Sequence, residues 1–165
     1  MKEQSKMVSY VSKEIGISIL LPQDWITQVV SQGQIRFFGL QESGFEEYFE
    51  EYRSTMSYIL AEPEDNTTDW FESLITNSAI QMKHDYNEYK LIFEEYYEIS
   101  DCNAYIRQYE WLDKYTNLQF SQLQSLIHKD SSSFYLVNAG TLKPLENKYM
   151  PVFKNILHST RIITV

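Results

Sequence analysis

Three histidines, one cysteine and a run of glutamates are the side chains with chemistry to offer in this 165-residue chain. His84 stands beside Asp85, His128 ends an apolar stretch, and His158 falls near the end of a periodic one. Acid–base or nucleophilic catalysis needs a base within reach of its partner and a third group to orient it, and no local signature supplies that set. A histidine near a helix C-terminus is accounted for by the helix dipole. Cys102 is read as a turn residue beside Asp101, where a neighbouring carboxylate would raise the thiol pKa when attack needs it lowered. The expectation is no catalytic residue and no enzyme.

The glutamates lie in GFEEYFEEYR, Gly44 to Arg53, where Phe45, Tyr48, Phe49 and Tyr52 recur at helical spacing. Glu46 with Glu50, or Glu47 with Glu51, would share a helical face, and hard cations take oxygen ligands. A calcium loop alternates its acids and bends at a glycine, which this stretch does not do, so no metal is expected. Like charges at i, i+4 oppose a helix by roughly 0.2–0.5 kcal/mol a pair. The segment therefore holds such a shape only by burying its aromatics. Phe49 is expected to pack inward, leaving Glu46, Glu47, Glu50 and Glu51 as an outer ridge, the candidate contact for a protein partner, to which a basic surface would be complementary. Whether the stretch is helix or loop stays open.

Charge bears on the partner. Of the net charge of −9, −7 falls between Glu42 and Asp65, where eight acids face Arg53 alone. No cationic face is offered to nucleic acid or to an anionic membrane. The chain holds five glycines and no glycine-rich phosphate loop, so no cofactor is expected. One cysteine forms no intramolecular disulfide, and the N-terminal run is polar where a signal peptide needs an apolar core, which together predict a cytoplasmic setting. No apolar run approaches the roughly 20 residues that span a bilayer. The oligomeric state is not legible.

The elements that must carry these residues follow from periodicity. MVSYVS and Ile15 to Leu21 alternate as paired strands around a turn at Ser12 to Glu14, and Ile26–Val30 with Gln34–Leu40 reads as a hairpin. Ser54–Ala61 is a further strand. A helix is predicted from Thr67 or Thr68 to about Asp85, with Phe71, Leu74, Ile75, Ser78 and Met82 on one face. Four strands follow, Tyr89–Ser100, Ala104–Leu112, Leu118–Ile127 and Phe134–Ala139, with short turns that make an antiparallel meander; Asp101, Cys102 and Asn103 are the first turn. A closing helix places Tyr149, Val152, Phe153, Ile156 and Leu157 on one face, and Pro151 implies that it starts there or kinks. Arg161–Val165 can return as a strand. One domain over residues 1–165 is the simplest division.

Three stretches resemble the PsbP/Mog-one fold family and its bacterial DcrB-like relatives. They are GISILLPQDW, the hairpin YKLIFEEYYEISDCNAYIRQYEW, and YMPVFKNILHSTR. The resemblance implies an α+β fold, an antiparallel sheet of about six or seven strands flanked by helices. It implies no one activity, since the family includes an extrinsic photosystem subunit, a Ran-binding nuclear protein and Eag-type chaperones of secreted effectors. The reading is a non-enzymatic cytoplasmic binding or adaptor protein, with an Eag-like chaperone as the alternative and an uncharacterised enzyme third. The acidic segment is longer than the strand connection typical of the family.

Overall fold

The computed structural model describes residues 5–163. Two antiparallel sheets and two helices carry them. The larger sheet has seven strands: β3 (Ile26–Ser31), β4 (Gln34–Phe38), β5 (Thr55–Ala61), β6 (Lys90–Ile99), β7 (Cys102–Asp113), β8 (Leu118–Asp130) and β9 (Ser133–Leu142). Their order is β3-β4-β5-β9-β8-β7-β6. The smaller sheet places β2 (Ile17–Pro22) between β1 (Met7–Ser12) and β10 (Arg161–Ile162). The expected strand count is met, with β1 and β2 set apart in a second sheet. The expected terminal strand is found at Arg161–Ile162, and residues 164–165 lie outside the described part.

Period-two alternation decides which way each strand faces. Ile35 and Phe37, Met56 and Tyr58, Leu123, Tyr135 and Val137 point to one side of the large sheet, where they join Ile15, Ile17, Ile19 and Leu21. Helix α2 (Glu146–Ser159) closes this core with Tyr149, Met150, Phe153, Ile156 and Leu157. Tyr135 ties the two sheets together, its hydroxyl donating to the carbonyl of Ile15. On the opposite side, α1 (Trp70–Asp85) packs Trp70, Phe71 and Ile75 on Tyr105, Leu126 and Phe134. Helix α1 starts two or three residues later than expected, because Trp70 is buried with its Nε1 donating to Ser131 O at 3.1 Å.

One expectation is corrected, and one of the two alternatives for α2 is removed. Ser100 and Asp101 alone make the β6–β7 turn, both with positive φ (51° and 64°), so Cys102 pairs with Ile99 inside the ladder. Paired positive-φ residues twist a two-residue hairpin in the sense the strands need. Helix α2 begins at Glu146, five positions before Pro151, and runs through it. Pro151 and Asn147 are both exposed, so the carbonyl that loses its donor faces water.

Candidate functional site

Helix α1 covers only part of its side of the large sheet. Two rows of side chains on that face are set by cross-strand register, and they run from under the helix out into the part it leaves uncovered. Phe38, Thr55, Gly140, Gln122 and Tyr109 are successive partners across β4, β5, β9, β8 and β7. One pleat along, Arg36, Ser57, Asn138, Gln124 and Arg107 form the next row. Most of these residues floor a cleft of about 560 Å³, walled by Tyr86 after α1 and by Glu50, Glu51 and Arg53 of the acidic segment. At Gly140 a Cβ would lie 3.2 Å from Gln122 Nε2, a tight contact that would push the Gln122 amide by a few tenths of an ångström.

The acidic segment is neither a long helix nor an open loop. Glu46–Tyr48 form one 3-10 turn, extended by the bond from Tyr52 N to Tyr48 O at 2.8 Å. Phe45, Tyr48, Phe49 and Tyr52 are all half-buried. Arg53 lies between two rings, its guanidinium 4.4 Å from the centre of Phe49 and 4.7 Å from that of Phe38, and it donates to Gly39 O at 3.1 Å. A half-buried cation on aromatic faces is attracted by about 1 kcal/mol. Tyr52 meets Phe120, which stacks on Trp111, which meets Tyr86, so aromatic contacts run around the cleft from the acidic segment to the end of α1. At the other end of the segment Glu42 accepts from Lys148 and from the Tyr149 hydroxyl. The Tyr149 ring lies so close to Gly39 that a Cβ there would sit 2.8 Å from its Cε1.

Glu46, Glu47, Glu50 and Glu51 are exposed, and none is in an ion pair among the described residues. Glu46 and Glu47 stand on the 3-10 turn, whereas Glu50 and Glu51 turn toward the cleft. The backbone amides of Glu46 and Gly44 hold the Glu46 carboxyl below its usual range. A hydrogen bond with Glu47 keeps the Tyr48 phenol protonated above its own.

The remaining candidates are scattered. His84 bonds Asp85 at 3.0 Å on the surface, where His84 first and Gln81 second hold the Asp85 carboxyl low. His128 stacks on Phe71 with the ring centres 5.0 Å apart, and His158 meets the Tyr97 ring edge-on. Burial first and Asp101 second push the Cys102 thiol up, and its Sγ donates weakly to Lys129 O at 3.9 Å. Among the described residues no three His, Cys, Asp or Glu side chains converge on a metal position.

The sequence reading missed Arg36, Arg53, Gln122, Gln124 and Asn138. For all of these but Arg53, which lies before β5, the signal was polar residues at period two in strands whose alternate positions are mostly apolar. It also missed Arg107, which is fully buried. Its guanidinium donates to Ile75 O at 3.1 Å and Ser78 Oγ at 2.9 Å and lies 4.8 Å from the centre of the Tyr105 ring. Glu94, its cross-strand partner, accepts from the Tyr105 hydroxyl.

No protein-family model matches the chain, and no curated protein matches it by sequence. Solved structures do match it over nearly its full length. LpqN, involved in cell envelope biogenesis of Mycobacterium tuberculosis, superposes with a TM-score of 0.70 at 13% identity, covering 96% of this chain and 91% of its own. The cyanobacterial PsbP of Synechocystis gives 0.64 at 16% identity over 98% and 95% of the two chains. The Ran-binding protein Mog1p of Saccharomyces cerevisiae gives 0.63 at 10% identity over 97% of each. Identities this low speak for the path of the backbone and not for its chemistry, and on that ground the protein has the PsbP/Mog-one-like fold.

Proposed function

We infer that the protein is a non-enzymatic, cytoplasmic binding or adaptor protein whose acidic segment meets a basic surface on a protein partner. One observation carries the reading: Glu46, Glu47, Glu50 and Glu51 stand exposed and without ion pairs among the described residues, above half-buried aromatics. The segment uses its apolar side chains to hold up a carboxylate ridge. Complementary fields of this kind speed encounter and fix orientation more than they add affinity. The Ran-binding neighbour is a precedent for protein recognition on this backbone. A non-enzymatic role is supported by the placement of the histidines, none of which borders the cleft. Among the described residues no helix is long and apolar enough to cross a membrane. The chaperone alternative needs an apolar groove for a client helix, and the open side of the sheet presents Arg36, Ser57, Asn138 and Gln124 instead.

The test is affinity capture from native lysate at low and high salt, with the wild-type chain beside a variant carrying Glu46→Gln, Glu47→Gln, Glu50→Gln and Glu51→Gln. The fold should persist, and a captured basic partner should be retained less, most visibly at low salt, because exposed charges are screened beyond about 8 Å at physiological ionic strength. Equal retention by both chains would reduce the ridge to a solvated surface.

A further inference from the structure

The cleft beside the ridge is a polar cavity with unfinished hydrogen bonding. Gln124 is 9% exposed and its Oε1 has no partner, while Gln122 Oε1 and Arg53 Nε are buried and unpaired beside it. An unpaired buried polar atom costs about 1–3 kcal/mol. Such groups in a native fold are completed by ordered water, an ion or a ligand. Both amides rise from β8, which is paired along its length with β7 and β9, so the backbone beneath them is held on both edges.

Charge narrows the class of occupant. Arg36 and Arg53 meet no carboxylate at ion-pair distance among the described residues. Glu50 and Glu51 border the same cleft, so its charged side chains balance. A dianion such as a phosphate monoester would face both glutamates with charge to spare. A single carboxylate suits the planar guanidinium fork and leaves the glutamates free to accept from hydroxyls. Hydroxyls both donate and accept, which lets them complete an amide in either orientation. Tyr86 and Tyr109 add flat apolar faces, and about 560 Å³ matches a small-molecule site.

We propose that the cleft binds a small hydroxylated monocarboxylate of the sugar-acid class, with its carboxylate toward Arg36 and Arg53 and its hydroxyls on the amides of Gln122, Gln124 and Asn138. This goes beyond the protein-contact reading and shares only Glu50 and Glu51 with it. The experiment titrates the full chain with glucuronate, and in parallel with glucose and a hexose phosphate, while nitrogen–proton correlation spectra follow the side-chain amides. Glucuronate at millimolar concentration should shift the Gln122, Gln124 and Asn138 amide signals saturably. Glucose and the hexose phosphate should each bind at least about tenfold more weakly, the size of one charge-assisted hydrogen bond. Arg36→Gln should weaken glucuronate about tenfold with the melting temperature unchanged, and Gln124→Leu should weaken it by a similar factor. Absence of saturable shifts at these amides overturns the proposal, as does glucose or hexose phosphate binding as tightly as glucuronate. Undiminished binding by Arg36→Gln also overturns it, and that variant leaves the four ridge glutamates in place, so the capture experiment is unaffected.

Discussion

Arg107 is the residue whose environment departs furthest from its type. Arginine is almost never fully buried without a paired charge, yet here the guanidinium is enclosed between α1 and the sheet and bonded to a helix carbonyl and a hydroxyl. Its Nε has no partner, and Glu94 reaches it only through the Tyr105 ring and hydroxyl. Desolvating a charge is costly, and an apolar replacement of similar volume is often neutral or better. Arg107→Met should therefore cost less than about 1.5 kcal/mol, or stabilise, while Arg107→Ala should lose about 2–5 kcal/mol by opening a cavity under α1. Urea denaturation of both variants decides the matter. Equal losses would mean that the bonds to Ile75 and Ser78, and not the packing of the side chain, hold the helix.

Among the elements, α2 is the one on which core and functional segment both depend. Its buried stripe meets both sheets, with Phe153 fully enclosed and the Trp25 ring edge-on to it at 6.1 Å. Phe153→Ala should cost about 3–5 kcal/mol, as loss of a buried aromatic does. A variant melting within a degree or two of the parent would show that the stripe is not core. The first turns of the same helix anchor the acidic segment through Lys148 and Tyr149 on Glu42. Tyr149→Phe removes one of these bonds while keeping the ring that packs against Gly39 and Phe153. It should cost about 1 kcal/mol and loosen the segment, read as faster amide exchange at Tyr48, Phe49 and Tyr52 than in the parent. Unchanged exchange would place the anchor elsewhere.

At the scale of the whole molecule, the two sheets are joined through phenols. Tyr135 donates to Ile15 O, and Tyr58 shares a hydrogen bond of 2.7 Å with Thr160. Burial pushes the Tyr135 phenol up from 10.0 to about 12, and burial likewise raises Tyr58. A phenol whose folded pKa exceeds its unfolded value stabilises the fold fully while both states are protonated. That contribution declines as pH rises above the unfolded value and is lost once the folded phenol ionises. Stability should hold below pH 10 and fall between 10.0 and about 12. Tyr135→Phe cannot ionise at this position, so it should lower stability at neutral pH by about 1 kcal/mol and flatten the alkaline decline. Thermal melts across this range provide the check. An equal slope in both chains would exclude Tyr135 as a source of the decline.

Local patterning accounts for what was legible before any coordinates. Alternation in MVSYVS and ISILLP, the stripe of α1 and the stripe of α2 are properties of neighbouring residues, and each element formed where its period lay. The three short stretches that resembled the PsbP/Mog-one fold were core and turn residues, so they conveyed a backbone path and no chemistry. One boundary moved where a distant partner intervened, Trp70 being drawn inward by Ser131, and another moved locally, Cys102 joining the ladder because Ser100 and Asp101 made the turn without it. The acidic segment shows the division most plainly. Its periodicity left helix and loop open, and the choice of a single 3-10 turn came with contacts to Phe38, Phe120 and α2, none of them adjacent in sequence. The cleft was legible only in part, since the meander already set β7, β8 and β9 side by side while the pairing of β5 with β4 and β9 had no local signal. Arg36, Ser57, Asn138, Gln124 and Arg107 are separated by long stretches of chain, and only the order β4-β5-β9-β8-β7 sets them side by side. Strand period determines which face a side chain takes, whereas strand order, a long-range choice made by packing, determines its neighbours.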